Sequence, residues 1–311
     1  MKPTIRIGTR RSTLALWQAN WVAGKLEASG VHCELIPMDT TGDGMLNVPI
    51  PKIGSKGVFT LELEQELENG NIDLAVHSAK DMPSELPDGF EIIAFTEREK
   101  AHDVLVAVGG NFDLDLDQAI TVGTSSTRRM ALLKRHFPKV KIVPVRGNLQ
   151  TRISKLKSGR MDALMLAFAG VKRLGLSELI QYDFPVDQFV PAAGQGSMAI
   201  EVSLKLDPEI GQIIRSALNH ERTEFCLIAE RAFLYGIRGG CSIPAFAYAG
   251  LRGSELYMQA GIVSLNGQKL VQFVSNGHLD HADELGAELA RKVLASGGDE
   301  ILKEIKQKSN D

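Results

Sequence analysis

An α/β fold is predicted: two related lobes, each wrapping helices around a largely parallel sheet, followed by a smaller α+β unit. Three features of the chain carry that prediction. The first is an internal echo. IRIGT reads as a short buried strand that runs through Arg10, Arg11 and Ser12 into the periodic helix LALWQANWVAGKL, with Ser12 or Thr13 suited to cap it; AITVGTS runs through Ser125, Ser126, Thr127, Arg128 and Arg129 into MALLKRHF. The second is a matching pair of helix ends. LENGNIDLAV stops a helix at Gly70 and opens a strand through Asp73, and LKSGRMDALML does the same through Gly159 and Asp162. The third is a change of pattern after Val202, where PEIGQIIRSALNHERTEFCLIAERAFLYG reads as mostly helical and AFAYAGLR, ELYMQAGIVS and KLVQFVSN read as strands. Asn266-Gly267 marks a hairpin there, and HADELGAELARKVLASGG supplies one closing helix. A length of 311 residues accommodates two or three such domains.

Strands that alternate with helices imply right-handed crossovers, with ligands at the strands' carboxyl ends and in the cleft between lobes. The first lobe has extra chain between its two signals, much of it in TTGDGMLNVPIPKIGSKG. Its Gly, Pro and Lys content predicts a mobile loop over the site at residues 40–58, with Lys56 as a lid contact.

Composition narrows the function classes. Hydrophobic residues make up 44% and charged residues 23%, which is ordinary for a globular chain and excludes disordered or collagenous classes. The formal charge of −3 disfavours a nucleic-acid binder. No apolar run approaches a membrane span and MKPTIRIGTRRS lacks the apolar stretch of a signal peptide, so a cytoplasmic location away from membranes is expected. Cys33, Cys226 and Cys241 are odd in number and have no C-x-x-C spacing, which argues against a disulfide framework and a thiolate metal site. Cys33 in HCELIPM and Cys226 in EFCLIAERAF read as packing thiols. Cys241 in IRGGCSIPAF follows two glycines on a bendable loop and suits covalent chemistry, although no histidine stands near it in sequence.

The basic residues sit at predicted strand ends and helix starts: Arg10, Arg11, Lys56, Lys80, Arg128, Arg129, Arg146, Arg152 and Arg173. Helix N-termini offer free N–H groups, and guanidinium forks pair with carboxylates or phosphates, so this placement favours a polyanionic ligand. A solvated surface is the ordinary reading of any one arginine; paired arginines beside Gly-Thr/Ser turns in both halves fit it poorly. DLAVHSAKDMPSELP puts Ser78, Lys80 and Asp81 just after an apolar strand, which makes Asp81 the best acid/base candidate, against a simple loop ion pair with Lys80. Gly194, Gly196 and Ala199 match G-x-G-x-x-A, but neither a preceding strand nor a ribose-binding acid supports a dinucleotide site. No phosphate-binding G-x-x-x-x-G-K-[ST] and no metal-ligand spacing occurs, so neither nucleotide nor metal is expected.

Taken together, GTRRSTLAL, AVHSAKDMPSELP, GTSSTRRMALL, VRGNLQTRISKLKSGRMDALMLAFAGVKRLG, VPAAGQGSMAIE and GGCSIP closely resemble the porphobilinogen deaminase (hydroxymethylbilane synthase) family, in order from about residue 5 to residue 246. The resemblance implies two periplasmic-binding-protein-like lobes, 1–96 with 197–215 and 101–192, and a third domain, 219–311, that carries the cofactor cysteine. It implies a transferase of tetrapyrrole (haem, porphyrin) biosynthesis that condenses porphobilinogen head to tail with loss of ammonia. A covalent dipyrromethane on Cys241 primes the chain, with no metal or nucleotide, and hydrolysis releases hydroxymethylbilane. In that family the aspartate corresponding to Asp81 is the main catalytic acid, and steadies the cationic azafulvene left when ammonia departs. Carboxylate contacts are implied for Arg10, Ser12, Ser78, Lys80, Thr124, Ser125, Ser126, Arg128, Arg129, Arg146, Gly147, Arg152, Arg173 and Gln195. A monomer that passes its product to the next tetrapyrrole enzyme is the family expectation. Ala79, Thr127 and Ser197 to Ala199 depart from the family's usual residues, and none of these departures removes a charge or the thiol. Without the resemblance, a non-catalytic two-lobed binding protein for an anionic small molecule is the rival reading; a thiol hydrolase comes third.

Overall fold

The computed structural model describes residues 4–41, 60–108, 116, 119–239 and 243–310. Lys56 and Cys241, and nearly all of the 40–58 loop, lie outside them.

The first lobe begins with β1 (Thr4–Arg10), α1 (Thr13–Ala28), β2 (His32–Met38), α2 (Leu61–Glu68), β3 (Leu74–Ser78) and β4 (Phe90–Phe95). The second holds β5 (Asp103–Val106), β6 (Thr121–Gly123), α3 (Thr127–His136), β7 (Lys141–Val143), α4 (Leu149–Lys157), β8 (Ala163–Ala167), α5 (Phe168–Arg173) and β9 (Ile180–Asp183). The chain then returns: β10 (Met198–Ser203) enters the first sheet, whose order is β2-β1-β3-β10-β4, while the second sheet is β7-β6-β8-β5-β9. In each sheet the fourth strand, β10 or β5, runs against the other four. The two lobes therefore share one topology, and the strand that breaks the parallel run is in both cases the one entered by crossing from the other lobe.

The echoed residues explain the echo. Asp73 accepts a hydrogen bond from the Arg6 backbone N–H at 2.7 Å, and Asp162 accepts one from Thr121 N–H at 2.7 Å, so each clamps the start of the neighbouring strand. Gly8 and Gly123 lie where a Cβ would come within 2.3 Å of Ile72 Cδ1 and of Met161 Sδ, the residues just before the two clamping aspartates. Only glycine lets those strands close on those turns. β3 and β8 are buried on both faces, as parallel strands under helices must be.

α6 (Pro208–Leu218) packs Ile214 and Leu218 into the core of the first sheet. α7 (Glu221–Gly236) then leads to an antiparallel sheet of β11 (Ala245–Arg252), β12 (Glu255–Val263) and β13 (Leu270–His278), which shares one apolar core with α7 and the closing helices. The single closing helix expected from the sequence is two, α8 (Ala282–Val293) and α9 (Asp299–Asn310). Ser296 and Gly297 leave helical geometry between them, with Gly297 at φ 104°. Among the described residues no helix is long and apolar enough to cross a membrane.

Candidate functional site

Lys56 lies outside the described residues; the other predicted cations lie near the carboxyl ends of the two sheets. In the first lobe β1 ends at Arg10, and Ser12 caps α1 by accepting from Ala15 N–H at 3.3 Å. β3 ends at Ser78, followed by one tight turn, Ala79–Asp81. Ser78 Oγ accepts from Gln18 Nε2 at 3.0 Å. A cavity of about 70 Å³ opens here, lined by Arg10, Ser12, Gln18, Thr60, His77, Ser78 and Asp81. Asp81 is exposed, and Lys80 beside it is partly buried.

The second lobe presents the matching ends. Thr124 is buried, Ser125 Oγ donates to the Val145 carbonyl at 3.0 Å, and Ser126 caps α3 by accepting from Arg129 N–H. Arg128 and Arg129 do not reach freely into the cleft. Both are buried on Asp103, with Arg128 Nη2 at 2.7 Å from Oδ2 and Arg129 Nη2 at 2.7 Å from Oδ1. Arg128 also donates to the Val190 carbonyl and Arg129 to the Met165 carbonyl. Arg152 Nε donates to the Gly147 carbonyl at 2.7 Å, and Lys155 Nζ to the Arg146 carbonyl at 2.9 Å. Arg173 donates to the Gly196 carbonyl at 2.8 Å and lies 5.7 Å over the Trp17 ring of the first lobe.

The electrostatics show a surplus of positive charge. Burial, then Arg129, lowers the Lys80 pKa to about 8 against the pull of Asp81 and Asp103. Burial, then Arg129, brings Arg152 down to about 10, with Asp81 opposing. Burial lowers Arg173 to about 10, and Arg128 is also lowered, by burial and by Arg129 against Asp103. A cation whose charged form is disfavoured gains most from an incoming anion. Arg129 of the second lobe acts on Lys80 of the first, and Asp81 of the first acts on Arg152 of the second, so these groups lie within electrostatic range of one another.

Some functional positions escaped the sequence reading. Asp103 opens a fully buried strand, and an acid heading such a strand, with paired arginines elsewhere, was the available signal. Gln18 had no signal, being one polar residue on an apolar helix. Gln195, a carboxylate contact by the resemblance, is buried, and its Nε2 donates to the Ala101 carbonyl at 2.6 Å and to Asp103 Oδ1 at 2.9 Å. The G-x-G turn around it owes its glycines to backbone geometry. Gly194 and Gly196 have φ of 75° and 100°, and added Cβ atoms would lie 2.8 Å from the Ala79 carbonyl carbon and 2.3 Å from the Glu99 carbonyl oxygen.

Residues 5–210 match the family model described as "Porphobilinogen deaminase, dipyromethane cofactor binding domain", and residues 224–295 match its C-terminal domain. The chain belongs to the porphobilinogen deaminase family. It is 51% identical to the porphobilinogen deaminase of Desulfosudis oleivorans, covering 97% of this chain and 98% of that one. It is 48% identical to that of Cytophaga hutchinsonii, covering 99% and 98%. Among solved structures, the periplasmic VFT2 domain of Bordetella pertussis BvgS aligns with 69% of this chain and 86% of its own, at 16% identity and a TM-score of 0.43. The family's cofactor, a dipyrromethane, bears several carboxylates. Lys80, Arg128, Arg152 and Arg173 fit it, because burial disfavours the charged form of each and an incoming carboxylate relieves that cost. Among the described residues no cluster of His, Cys, Asp or Glu could hold a metal ion.

Proposed function

We infer that this chain catalyses the porphobilinogen deaminase reaction: stepwise head-to-tail condensation of porphobilinogen, with one ammonia lost per ring, and release of hydroxymethylbilane for tetrapyrrole biosynthesis. The site reading is supported by the electrostatic influence of Arg129 on Lys80 and of Asp81 on Arg152, between groups at the carboxyl ends of the two sheets. The dipyrromethane supplies the nucleophilic pyrrole carbon at which the chain starts, and we propose Cys241 as its attachment.

Each remaining task falls to a side chain of this protein. Lys80, Arg152 and Arg173 hold ring carboxylates, and Arg128 and Arg129, which share Asp103, add one surplus positive charge behind them; together they fix the reacting rings in register, which removes translational freedom from the barrier. Arg10 and Ser12 do the same at the first lobe's cavity. Asp81 stands at the cleft with its carboxylate exposed. It accepts the pyrrole N–H of the incoming ring, stabilises the positive charge that develops as ammonia leaves, and takes up the proton that the attacking pyrrole carbon loses once the new carbon–carbon bond has formed. Arg146 and Gly147 shape the wall behind Arg152. We propose that the enzyme works in the cytoplasm as a monomer and passes its open-chain product to the next enzyme of the pathway.

Two measurements test this. The intact mass of the purified protein should exceed that of its sequence by two condensed pyrrole units, and Cys241→Ser should abolish the increment. Asp81→Asn should keep the increment and the fold while lowering kcat by about 100-fold or more. An unmodified protein that turns over at full rate removes Cys241 from the scheme, and normal turnover by Asp81→Asn removes Asp81.

A further inference from the structure

Three segments that are distant in the chain meet at one buried carboxylate. Glu230 of α7 is fully buried, and each of its oxygens accepts two hydrogen bonds. Oε1 takes Arg98 Nη1 at 2.6 Å and Ala249 N–H at 2.7 Å. Oε2 takes Arg98 Nη2 at 3.0 Å and Gly194 N–H at 2.7 Å. Arg98 lies on the first crossing between the lobes; its Nε donates to the Gln195 carbonyl at 2.9 Å, its backbone N–H to Thr223 Oγ1 of α7 at 3.2 Å, and its guanidinium lies 4.9 Å over the Tyr248 ring of β11. Both crossings between the lobes are thus bonded to the third unit through one bidentate ion pair.

The pair also reaches the reacting groups. Gly194 is in backbone contact with the Ala79–Lys80 peptide, and Ala79 N–H donates to the Ser197 carbonyl at 3.0 Å. Gln195 holds Asp103, and through it Arg128 and Arg129; the Gly196 carbonyl holds Arg173. A single turn therefore touches the turn that carries Asp81, the buried arginine pair and the interlobe arginine.

We propose that Glu230 is a positioning residue for the reaction: it seats the Gly194–Gly196 turn against the Ala79–Lys80 peptide and so fixes Asp81 relative to the helix that leads to Cys241. This rests on the functional reading above. A growing chain anchored on the third unit has to present successive rings to one carboxylate, and a frame that ties the anchor's helix to that carboxylate's turn keeps the reaction point constant. Loss of this seating changes the alignment of acid and ring, not the grip on ring carboxylates, so it appears in kcat and leaves KM in place.

Glu230→Gln retains the shape and turns one acceptor into a donor facing N–H groups. The loaded variant should keep the two-pyrrole mass increment and a KM within about two-fold of wild type, while kcat falls about ten-fold or more. Backbone amides of residues 79–82 should exchange hydrogen about ten-fold faster, with the β12–β13 hairpin unchanged. If Glu230→Gln does not accumulate as folded protein, Arg98→Lys serves the same purpose, since it keeps the charge and loses the fork. Wild-type kcat in the loaded variant, or a reduced kcat with unaltered exchange at 79–82, overturns the proposal. Failure of the wild-type protein to consume porphobilinogen defeats the functional reading instead, and the exchange comparison still decides whether Glu230 seats the turn.

Discussion

Asp103 sets how much positive charge the second lobe has to offer. One carboxylate is shared by two buried guanidiniums, so one full charge remains for a ligand. Burial alone would raise the Asp103 pKa; Arg128, Arg129 and the Gln195 hydrogen bond outweigh it and hold the group well below the usual carboxylate range. The folded state therefore binds this proton less readily than the unfolded state. The resulting stabilisation is complete above the ordinary carboxylate range and is lost only as pH falls through the depressed folded value. Asp103→Asn leaves both arginines buried without a counter-charge, and should destabilise the protein by about 3–5 kcal/mol in denaturant unfolding at neutral pH. A loss under about 1 kcal/mol would show that water or a neighbour already neutralises the pair. Lys80 makes the opposite kind of prediction. With its pKa lowered to about 8 by burial and Arg129, it sheds its charge as pH rises through that value until an anion arrives. Assembly of the cofactor by apoprotein should slow over that range, and Lys80→Arg should move the alkaline limb upward, because guanidinium stays charged. An unmoved limb would exclude Lys80 as its source.

At the scale of elements, the seam between α2, β3 and β10 is unusual. Glu64, His77 and Glu201 are all buried on it, and Thr60 Oγ1, Glu64 Oε1, His77 Nε2 and both Glu201 oxygens lack hydrogen-bond geometry, although His77 Nε2 lies 2.9 Å from Glu201 Oε2. Burial foremost, and Glu201 in addition, raises the Glu64 pKa against the opposing effects of Thr60 and His77. A raised carboxylate favours the protonated fold, so its contribution is present at low pH and is lost as pH rises through the folded value. Glu64→Gln should therefore raise Tm at neutral pH by a few degrees, about 2–4 °C per kcal/mol for a chain of this size, and change little near pH 4. An unchanged or lower Tm at neutral pH would mean that the carboxylate is already compensated where it lies. The same seam shows what the sequence concealed. The strand-turn-helix units at Gly8 and Gly123 were legible because their turn chemistry is local. The pairing of β10 with β3 and β4, which brings Glu201 beside His77, has no local signature. The closing helix expected over HADELGAELARKVLASGG ends at the Ser296–Gly298 break, and α9 beyond it has no expectation in the sequence reading because the Gly-Gly pair reads as a terminus.

The whole molecule is two copies of one α/β plan facing each other, with a third unit attached at the place where the chain crosses between them. The placement of the cations at the sheets' carboxyl ends was legible in the sequence, because the Gly-Thr/Ser turns that position them are local signals. Their organisation was not. Asp103 claims two of them, Gln195 donates to Asp103, and Arg98 and Glu230 carry no local signal of the ion pair that the fold buries. Long-range ion pairs are invisible to spacing because the partners lie far apart in the chain. The threading of β10 also governs how the protein is born. A nascent chain that has emerged only as far as β9 holds a complete second sheet, all of whose strands are contiguous in sequence, beside a first sheet split between β3 and β4. The topology predicts that the amino-terminal lobe completes its sheet after the second lobe, an order that pulse-labelled hydrogen exchange during refolding would check. A translation product that stops short of Met198 exposes two unpaired strand edges, the kind of surface that chaperones retain and aggregates recruit.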